Sequence, residues 1–158
     1  MGMPSSTVRT FTDPDAYFGD IRNLSIDGLV TERGKFRAEA TLINLHRLQM
    51  GRFDEDLPRI MRVTPSGSRS LVLLQTDPSR PAMLVNGIET SRDQIAIFGL
   101  DWPYYIRSSA GSGWGTISVI PEELAAAGRA ITGRELTRQG LMLAMRPPIP
   151  SLSRLLQL

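Results

Sequence analysis

The chain has 158 residues, of which 41% are hydrophobic and 22% charged, and its formal net charge at pH 7 is +2. This length predicts one domain with a core of its own, and the composition excludes a disordered or fibrous protein. The charge is too small to predict a polyanionic partner, and the absence of cysteine excludes disulfides and thiolate chemistry. We expect a cytoplasmic protein, because no segment has the pattern of a secretory signal or of a membrane-spanning helix.

A short helix is predicted near the beginning of the chain. Thr12 or Asp13 is placed as its N-cap, and Pro14 falls in the first turn, where proline is tolerated. The helix is expected to end at about Asn23. Four apolar residues recur near helical spacing, so one face should lie against a larger body: Ala16, Tyr17, Ile21 and Leu24.

Extended segments follow this helix. Leu29–Thr31 and Phe36–Met50 have the pattern of strands. Three glycines are interpreted as breaks: Gly28, Gly34 and Gly51. Beyond Leu42 the alternation of apolar residues shifts by one position, to Ile43 and Leu45, and such a shift predicts a β-bulge or a bend.

Three more apolar runs come at roughly ten-residue spacing: Ile60–Val63, Leu71–Thr76 and Met83–Val85. The Asn86-Gly87 pair after the last run is a strong signal for a two-residue hairpin. No helical segment is predicted between these runs and Pro121. The pattern therefore predicts an antiparallel β-sandwich or barrel and excludes parallel βαβ units.

The stretch Asp93–Ile120 holds both tryptophans and two of the three tyrosines, and it has the pattern of three short strands with turns between them. Residues that alternate along a strand share a face, so one set comprises Trp102, Tyr104 and Ile106, and the other Tyr105 and Arg107. Either set can face inward, and an inward Arg107 would need an anionic partner such as a carboxylate ligand.

A glycine-rich segment ends this stretch, at Gly111, Gly113 and Gly115. A strand follows these glycines where a phosphate-binding loop would have a helix, so we interpret the segment as a hairpin turn. Trp114 would emerge from that turn to pack in the core or to cover a pocket mouth.

A second helix is predicted from Pro121, with acidic residues in its first turn and Gly133 at its end. Leu136–Met145 is expected to be one further strand or irregular chain. A stiff segment at Pro147–Pro150 precedes a last helix capped by Ser151. Its apolar stripe is short, so it needs a continuation or a partner: Leu152, Leu155 and Leu156. We expect the chain to be part of a longer protein, the alternative being a helix that docks on its own domain.

Residues for catalysis are scarce. His46 is the only histidine, which excludes a metal site with two or more imidazoles in one chain. The acidic pairs Asp54/Asp56 and Glu122/Glu123 are predicted to be solvated carboxylates. We expect no enzyme, no metal and no cofactor.

Three segments resemble, in order and spacing, the N-terminal domain of bacterial AraC/XylS-type transcriptional regulators: FTDPDAYFGDIRN, GKFRAEATLINLHRLQMGRF and GWGTISVIPEEL. The likeness covers most of residues 10 to 150. Members of that family combine a cupin-like β-barrel, which senses a small molecule or dimerises, with a linker and a DNA-binding domain that holds two helix-turn-helix motifs.

The resemblance implies a mainly β, antiparallel cupin-like barrel or sandwich, with a short N-terminal helix and one or two C-terminal helices. It implies a sensor domain over residues 1–146, then a linker and helix start over 147–158. The expected partners are a small-molecule effector, a carboxylate or an aromatic, and a second copy of the chain, with DNA bound only through a C-terminal domain. The candidate effector contacts are Trp102, Tyr104, Tyr105, Arg107, Trp114 and His46. The alternatives are a small cupin-type enzyme and an effector-free dimerisation scaffold.

Overall fold

The protein is described here from a computed structural model, in which residues 3–65, 68–136 and 143–157 are described. Three helices and twelve strands lie in these ranges. The helices are α1 (Pro14–Asp20), α2 (Pro121–Thr132) and α3 (Ile149–Leu156). The strands are β1 (Ser5–Phe11), β2 (Leu24–Val30), β3 (Ala38–Leu45), β4 (Leu48–Glu55), β5 (Arg59–Pro65), β6 (Ser70–Gln75), β7 (Met83–Val85), β8 (Ile88–Thr90), β9 (Ile95–Phe98), β10 (Tyr104–Arg107), β11 (Ser112–Val119) and β12 (Leu143–Met145).

The strands form two sheets that enclose one core. The larger sheet has the order β1-β3-β4-β11-β6-β9-β12, and the smaller one β2-β5-β10-β7-β8. Every strand pair among the described residues is antiparallel. The predicted mainly β, antiparallel architecture is thereby confirmed in its sandwich form. None of the helices in the described ranges is long and apolar enough to cross a membrane.

Helix α1 closes one side of the core. Asp13 is its N-cap, as predicted, because its side chain accepts a hydrogen bond from the Asp15 N–H at 3.1 Å. The helix buries Tyr17 and Phe18 and is shorter than expected. Gly28 lies inside β2 and is not a break between strands, since a Cβ there would come within 2.6 Å of the Phe18 ring.

The segment expected as one extended run, Phe36–Met50, is a hairpin. β3 and β4 pair without interruption from Ala38↔Glu55 to Leu45↔Leu48, so the predicted bulge after Leu42 is wrong. The shift in the apolar pattern has another cause, which is that Ile43 and Leu45 lie on the opposite face of the sheet from Ala40 and Leu42. Gly51, expected as a break, lies inside β4.

The stretch Asp93–Ile120 contains the three predicted strands, β9, β10 and β11. The prediction of a hairpin turn at the glycine-rich segment is wrong, because Gly113 and Gly115 are inside β11 and both are buried. The chain that follows β6 crosses this strand closely, and a Cβ on Gly113 would lie 2.9 Å from Cβ of Asp77. Gly113 therefore allows the chain at Asp77 to pack closely against β11, and it does not form a turn.

Other local predictions are confirmed. Asn86 and Gly87 both have positive φ, 50° and 79°, and join β7 to β8 as a two-residue hairpin. Helix α2 begins at Pro121 and ends at Gly133, which is left-handed with φ 69°. Helix α3 begins at Ile149, before the expected cap. The side chains of the predicted apolar stripe lie outside the described part of the chain: Leu152, Leu155 and Leu156.

Candidate functional site

The two central strands of the larger sheet, β4 and β11, carry matching rows of side chains on the face that forms the core. Gln49, Gly51, Phe53 and Glu55 point inward from β4. Their antiparallel partners on β11 are, in the same order, Ser118, Thr116, Trp114 and Ser112. The middle of this double row is aromatic, because the Phe53 and Trp114 rings stack at 4.2 Å. Both ends of the row are polar.

One end holds a buried ion pair, which we call the closed end. Arg59 Nη1 and Glu55 Oε1 are 2.6 Å apart, and the two side chains are 1% and 0% exposed. Ser112 Oγ donates to the same carboxylate oxygen at 2.7 Å, and Trp114 Nε1 donates to it at 2.9 Å. Arg59 Nη1 also donates to Ser108 Oγ at 3.0 Å. The charges are therefore held by hydrogen bonds as well as by each other.

Helix α1 brings Tyr17 to the closed end. Burial, and then the negative charge of Glu55, raise the pKa of the Tyr17 hydroxyl well above its ordinary value. Burial also raises the pKa of the Glu55 carboxyl, while Arg59, Ser112 and Trp114 act in the opposite direction. All three side chains are almost fully buried, and Tyr17 Oη, Glu55 Oε2 and Arg59 Nη2 have no hydrogen-bond partner. The closed end thus connects α1 to both sheets.

The other end opens into a pocket of about 160 Å³, which we call the mouth pocket. It lies over the inner face of the larger sheet, beside the turn from α1 to β2. Its lining is mixed, with polar side chains around it and an apolar wall where it meets the core: Ser5, Thr7, Arg9, Ile21, Arg22, Asn23, Leu42, Ile43, Asn44, Gln49, Met50, Gly51, Phe53, Leu71, Thr116 and Ser118. A smaller depression of about 60 Å³ also lies against β4 and β11, and two others, of about 640 and 400 Å³, are more open.

The turn from α1 to β2 forms one wall of the mouth pocket. Asn23 has a left-handed backbone, with φ 61°, a conformation that asparagine adopts more readily than most residues. Its side-chain N–H donates to Gln49 Oε1 across the pocket wall at 2.5 Å. Arg9 on β1 pairs with Asp20 at the end of α1. These two contacts hold the wall in place.

The structure separates the six candidate effector contacts. Tyr104 is buried and stacks on Phe98 at 4.3 Å, and its hydroxyl accepts a hydrogen bond from the Gly99 N–H at 2.8 Å. Trp114 is buried in the closed end. The other four are exposed: Trp102, Tyr105, Arg107 and His46. None of the six lines the mouth pocket.

The structure shows which side chains of β10 point into the core. Tyr104 and Ile106 point inward, and Tyr105 and Arg107 point to solvent. Arg107 therefore needs no buried anionic partner. Trp102 precedes β10 and is 52% exposed, so it does not share the inward face of Tyr104. His46 occupies the tight turn between β3 and β4, with φ 63°.

The acidic pairs are exposed only in part, because Asp54 and Glu123 are half-buried and Glu123 Oε1 is buried. Asp56 is exposed and accepts a hydrogen bond from the Arg37 N–H at 2.9 Å. Glu122 is exposed, and Glu123 pairs with Arg47. Within residues 3–65, 68–136 and 143–157, no group of three or more acidic or histidine side chains is placed to hold a metal ion.

The residues of the mouth pocket were not singled out by the sequence, although a signal for them exists. Gln49 and Gly51 precede Phe53 in the same alternating row, and Thr116 and Ser118 follow Trp114 in the other. Polar residues at core-facing positions of a strand break the usual alternation of apolar and polar side chains, and they mark a site where the core gives way to a cavity.

Comparison with known proteins identifies no relative of this chain. No family model, no curated protein and no solved structure matches the chain.

Proposed function

We propose that this chain is an effector-sensing domain of the kind that AraC/XylS-type transcriptional regulators carry, and that its effector binds in the mouth pocket. The observation that supports the proposal is the mouth pocket itself, about 160 Å³ in volume and lined by polar side chains on the core-facing side of the sheet. Ligand sites are concave, with an apolar wall and a few convergent polar groups. The mouth pocket has both.

The volume of the mouth pocket fits a small molecule. A cavity of about 150 Å³ accommodates a benzene ring, and the mouth pocket is of that size. A ligand that occupies it touches the wall formed by Ile21, Arg22 and Asn23, which connects α1 to β2. It also touches Phe53, which stacks on Trp114 at 4.2 Å. Ligand binding would thus affect both α1 and the stacked rings of Phe53 and Trp114.

The mechanism that we propose is a shift in population. An effector that binds one arrangement of the α1 wall better than another stabilises that arrangement by its difference in affinity, typically about 1–3 kcal/mol. In a regulator of this class, the change would pass through the C-terminal segment to a DNA-binding domain.

A thermal-shift screen of small carboxylates, sugars, polyols and aromatic molecules tests ligand binding. A ligand present at about 100 times its Kd adds roughly 2.7 kcal/mol to the free energy of unfolding. For a domain of this size, the melting temperature should rise by about 5–10 °C. The absence of a shift with every compound would favour the effector-free scaffold instead.

A pair of variants places the binding site. Thr7 lines the mouth pocket, and its neighbour Val8 is 60% exposed on the other face of the same strand. Thr7→Phe should fill the pocket and weaken binding at least roughly tenfold, whereas Val8→Phe, which adds the same ring outside, should leave binding unchanged. Equal affinities in both variants would place the ligand elsewhere.

The regulatory part of the proposal has a separate test. The coding sequence that follows the Leu158 codon should specify two helix-turn-helix patterns within about a hundred residues, the usual size of one domain. A stop codon at that point would contradict a regulator of this class, whatever the result of the ligand screen.

A further inference from the structure

The mouth pocket presents hydrogen-bond donors and positive charge, and no carboxylate lines it among the described residues. Resting on the proposed function, we infer that its ligand is a small monocarboxylate, and that Arg22 is the counter-ion of the carboxylate group. Three observations carry this inference: the state of the two arginines, the direction of the hydrogen bonds already made in the pocket, and the apolar patch opposite them.

Two guanidinium groups line the mouth pocket, and they differ in their partners. Arg9 is neutralised by Asp20. Arg22, two residues further along the chain from that aspartate, makes no ion pair with any described residue. A guanidinium at the rim of a pocket that contains no acid selects an anionic ligand, because planar carboxylates accept two parallel hydrogen bonds from it.

Two neutral polar side chains of the pocket are left with donors. Asn23 Nδ2 donates to Gln49 Oε1 at 2.5 Å, which uses the acceptor of Gln49 and leaves its N–H groups for a ligand. Arg69 Nε donates to Ser118 Oγ at 3.1 Å, so the Ser118 hydroxyl proton is left to point elsewhere. Both residues line the pocket. A ligand that supplies acceptor oxygens fits these two donors.

The apolar wall of the pocket indicates the chemistry of the ligand beyond its carboxylate group. Ile21, Leu42 and Leu71 line the side of the pocket that meets the core, and apolar surface there favours a short aliphatic body. The volume of about 160 Å³ suits a molecule of roughly seven non-hydrogen atoms. A short-chain hydroxy or oxo acid combines this size, one carboxylate and additional acceptor oxygens.

The test is a calorimetric titration of the full chain with lactate, 2-hydroxybutyrate and 2-oxobutyrate, each beside its uncharged amide. The amides keep the shape and remove the charge, so the carboxylates should bind at least tenfold more tightly. Raising the ionic strength should weaken the binding of the carboxylates and leave the amides unaffected, because Arg22 is exposed and its charge is screened.

Variants assign the counter-ion. Arg22→Gln should reduce the affinity for the acids roughly ten- to a hundredfold, and Arg22→Lys should restore part of it. Arg107→Gln changes the net charge equally but lies on the outer face of β10, so it should leave the affinity unchanged. If no acid of the set binds, if acid and amide bind alike, or if Arg22→Gln has no effect, the inference is overturned.

The failure of this inference differs from the failure of the proposed function. A neutral compound that binds in the screen, and that Thr7→Phe excludes, would retain the sensor and reject the carboxylate. Acids that bind with full affinity to Thr7→Phe would reject the mouth pocket itself.

Discussion

The closed end and the mouth pocket are built on the same two strands, β4 and β11, and both place polar side chains at core-facing positions. At the closed end, Glu55 and Ser112 meet Arg59, Trp114 and Ser108 within the protein. At the mouth pocket, Gln49 and Ser118 keep donors that no described residue accepts. The polar groups of the closed end are buried among one another, and Glu55 Oε2 and Arg59 Nη2 still have no hydrogen-bond partner there, whereas those of the mouth pocket line a cavity.

The largest expected effect comes from breaking the closed end. Arg59→Met removes the partner of Glu55 and leaves a carboxylate that is 0% exposed. Removal of one member of a buried ion pair costs about 3–5 kcal/mol of the free energy of unfolding. Urea unfolding at pH 7 measures this loss. Arg62→Met provides the control, because Arg62 is exposed on the same strand, and it should change stability by no more than about 0.5 kcal/mol.

The stability of Arg59→Met should depend on pH in a direction that the pKa of Glu55 determines. Burial raises the pKa of Glu55, and the loss of Arg59 removes the charge that opposes this rise. The folded variant then binds a proton that the unfolded chain releases, so its stability should increase as the pH falls through the raised pKa. A deficit that stays constant from pH 7 down to the ordinary carboxyl pKa of 4.5 would show that Glu55 is not a buried, unpartnered charge in the variant.

An intermediate effect is expected at the border between the two regions. A Cβ on Gly51 would lie 2.6 Å from Cε2 of Phe53 and 3.0 Å from Oγ1 of Thr116. Gly51→Ala should therefore displace the Phe53 ring and destabilise the protein by about 1–3 kcal/mol. The displaced ring also narrows the mouth pocket, so ligand binding should weaken in the same variant.

Gly19→Ala is the matched control for this change. Gly19 lies in α1 with no atom within 4 Å of the added Cβ, and the variant should be unchanged or up to about 1 kcal/mol more stable. Equal effects of both substitutions on thermal unfolding would contradict the close approach at Gly51.

The smallest effect is expected outside both regions, in the turn after β6. Asp77 Oδ1 accepts hydrogen bonds from the Ser79 hydroxyl at 2.6 Å and the Ser79 N–H at 2.9 Å, and these bonds lower the pKa of Asp77. Asp77→Ala should cost at most about 1 kcal/mol at pH 7.

Because the folded pKa of Asp77 is lowered, its contribution is present above the ordinary value of 3.8 and is lost as the pH falls through the lowered one. The wild type and the variant should thus converge in stability as the pH falls through the lowered pKa. Asp27→Ala, at an exposed strand position, should remain within about 0.5 kcal/mol of the wild type throughout.

Local chemistry made much of the fold predictable. The Asp13 cap, the Asn86-Gly87 hairpin and the Gly133 helix end each depend on residues adjacent in sequence. β1 was missed because Ser5–Phe11 is an edge strand with almost no apolar alternation. The glycines of β11 were misread because the chain that approaches Gly113 comes from Asp77, far away in sequence.

The candidate site was harder to predict than the fold. The aromatic residues of Asp93–Ile120 were predicted to contact an effector, yet Tyr104 and Trp114 are buried in the core. The ion pair of Glu55 and Arg59 is invisible in the sequence, because charged residues are normally exposed and their pairing depends on two strands and a loop. The mouth pocket depends on β1, which was not predicted, and on polar residues that are informative only once their inward face is known.

The most direct test compares amide chemical shifts of the ¹⁵N-labelled full chain during a titration with 2-hydroxybutyrate. We expect the largest changes at Thr7, Arg22, Gln49 and Ser118, which line the pocket, smaller ones at Trp114, which stacks behind Phe53, and none on the outer face of β10. Changes centred on the sequence-predicted contacts Trp102, Tyr105 and Arg107, with the mouth pocket unaffected, would contradict the assignment of the open end of the sandwich as the binding site.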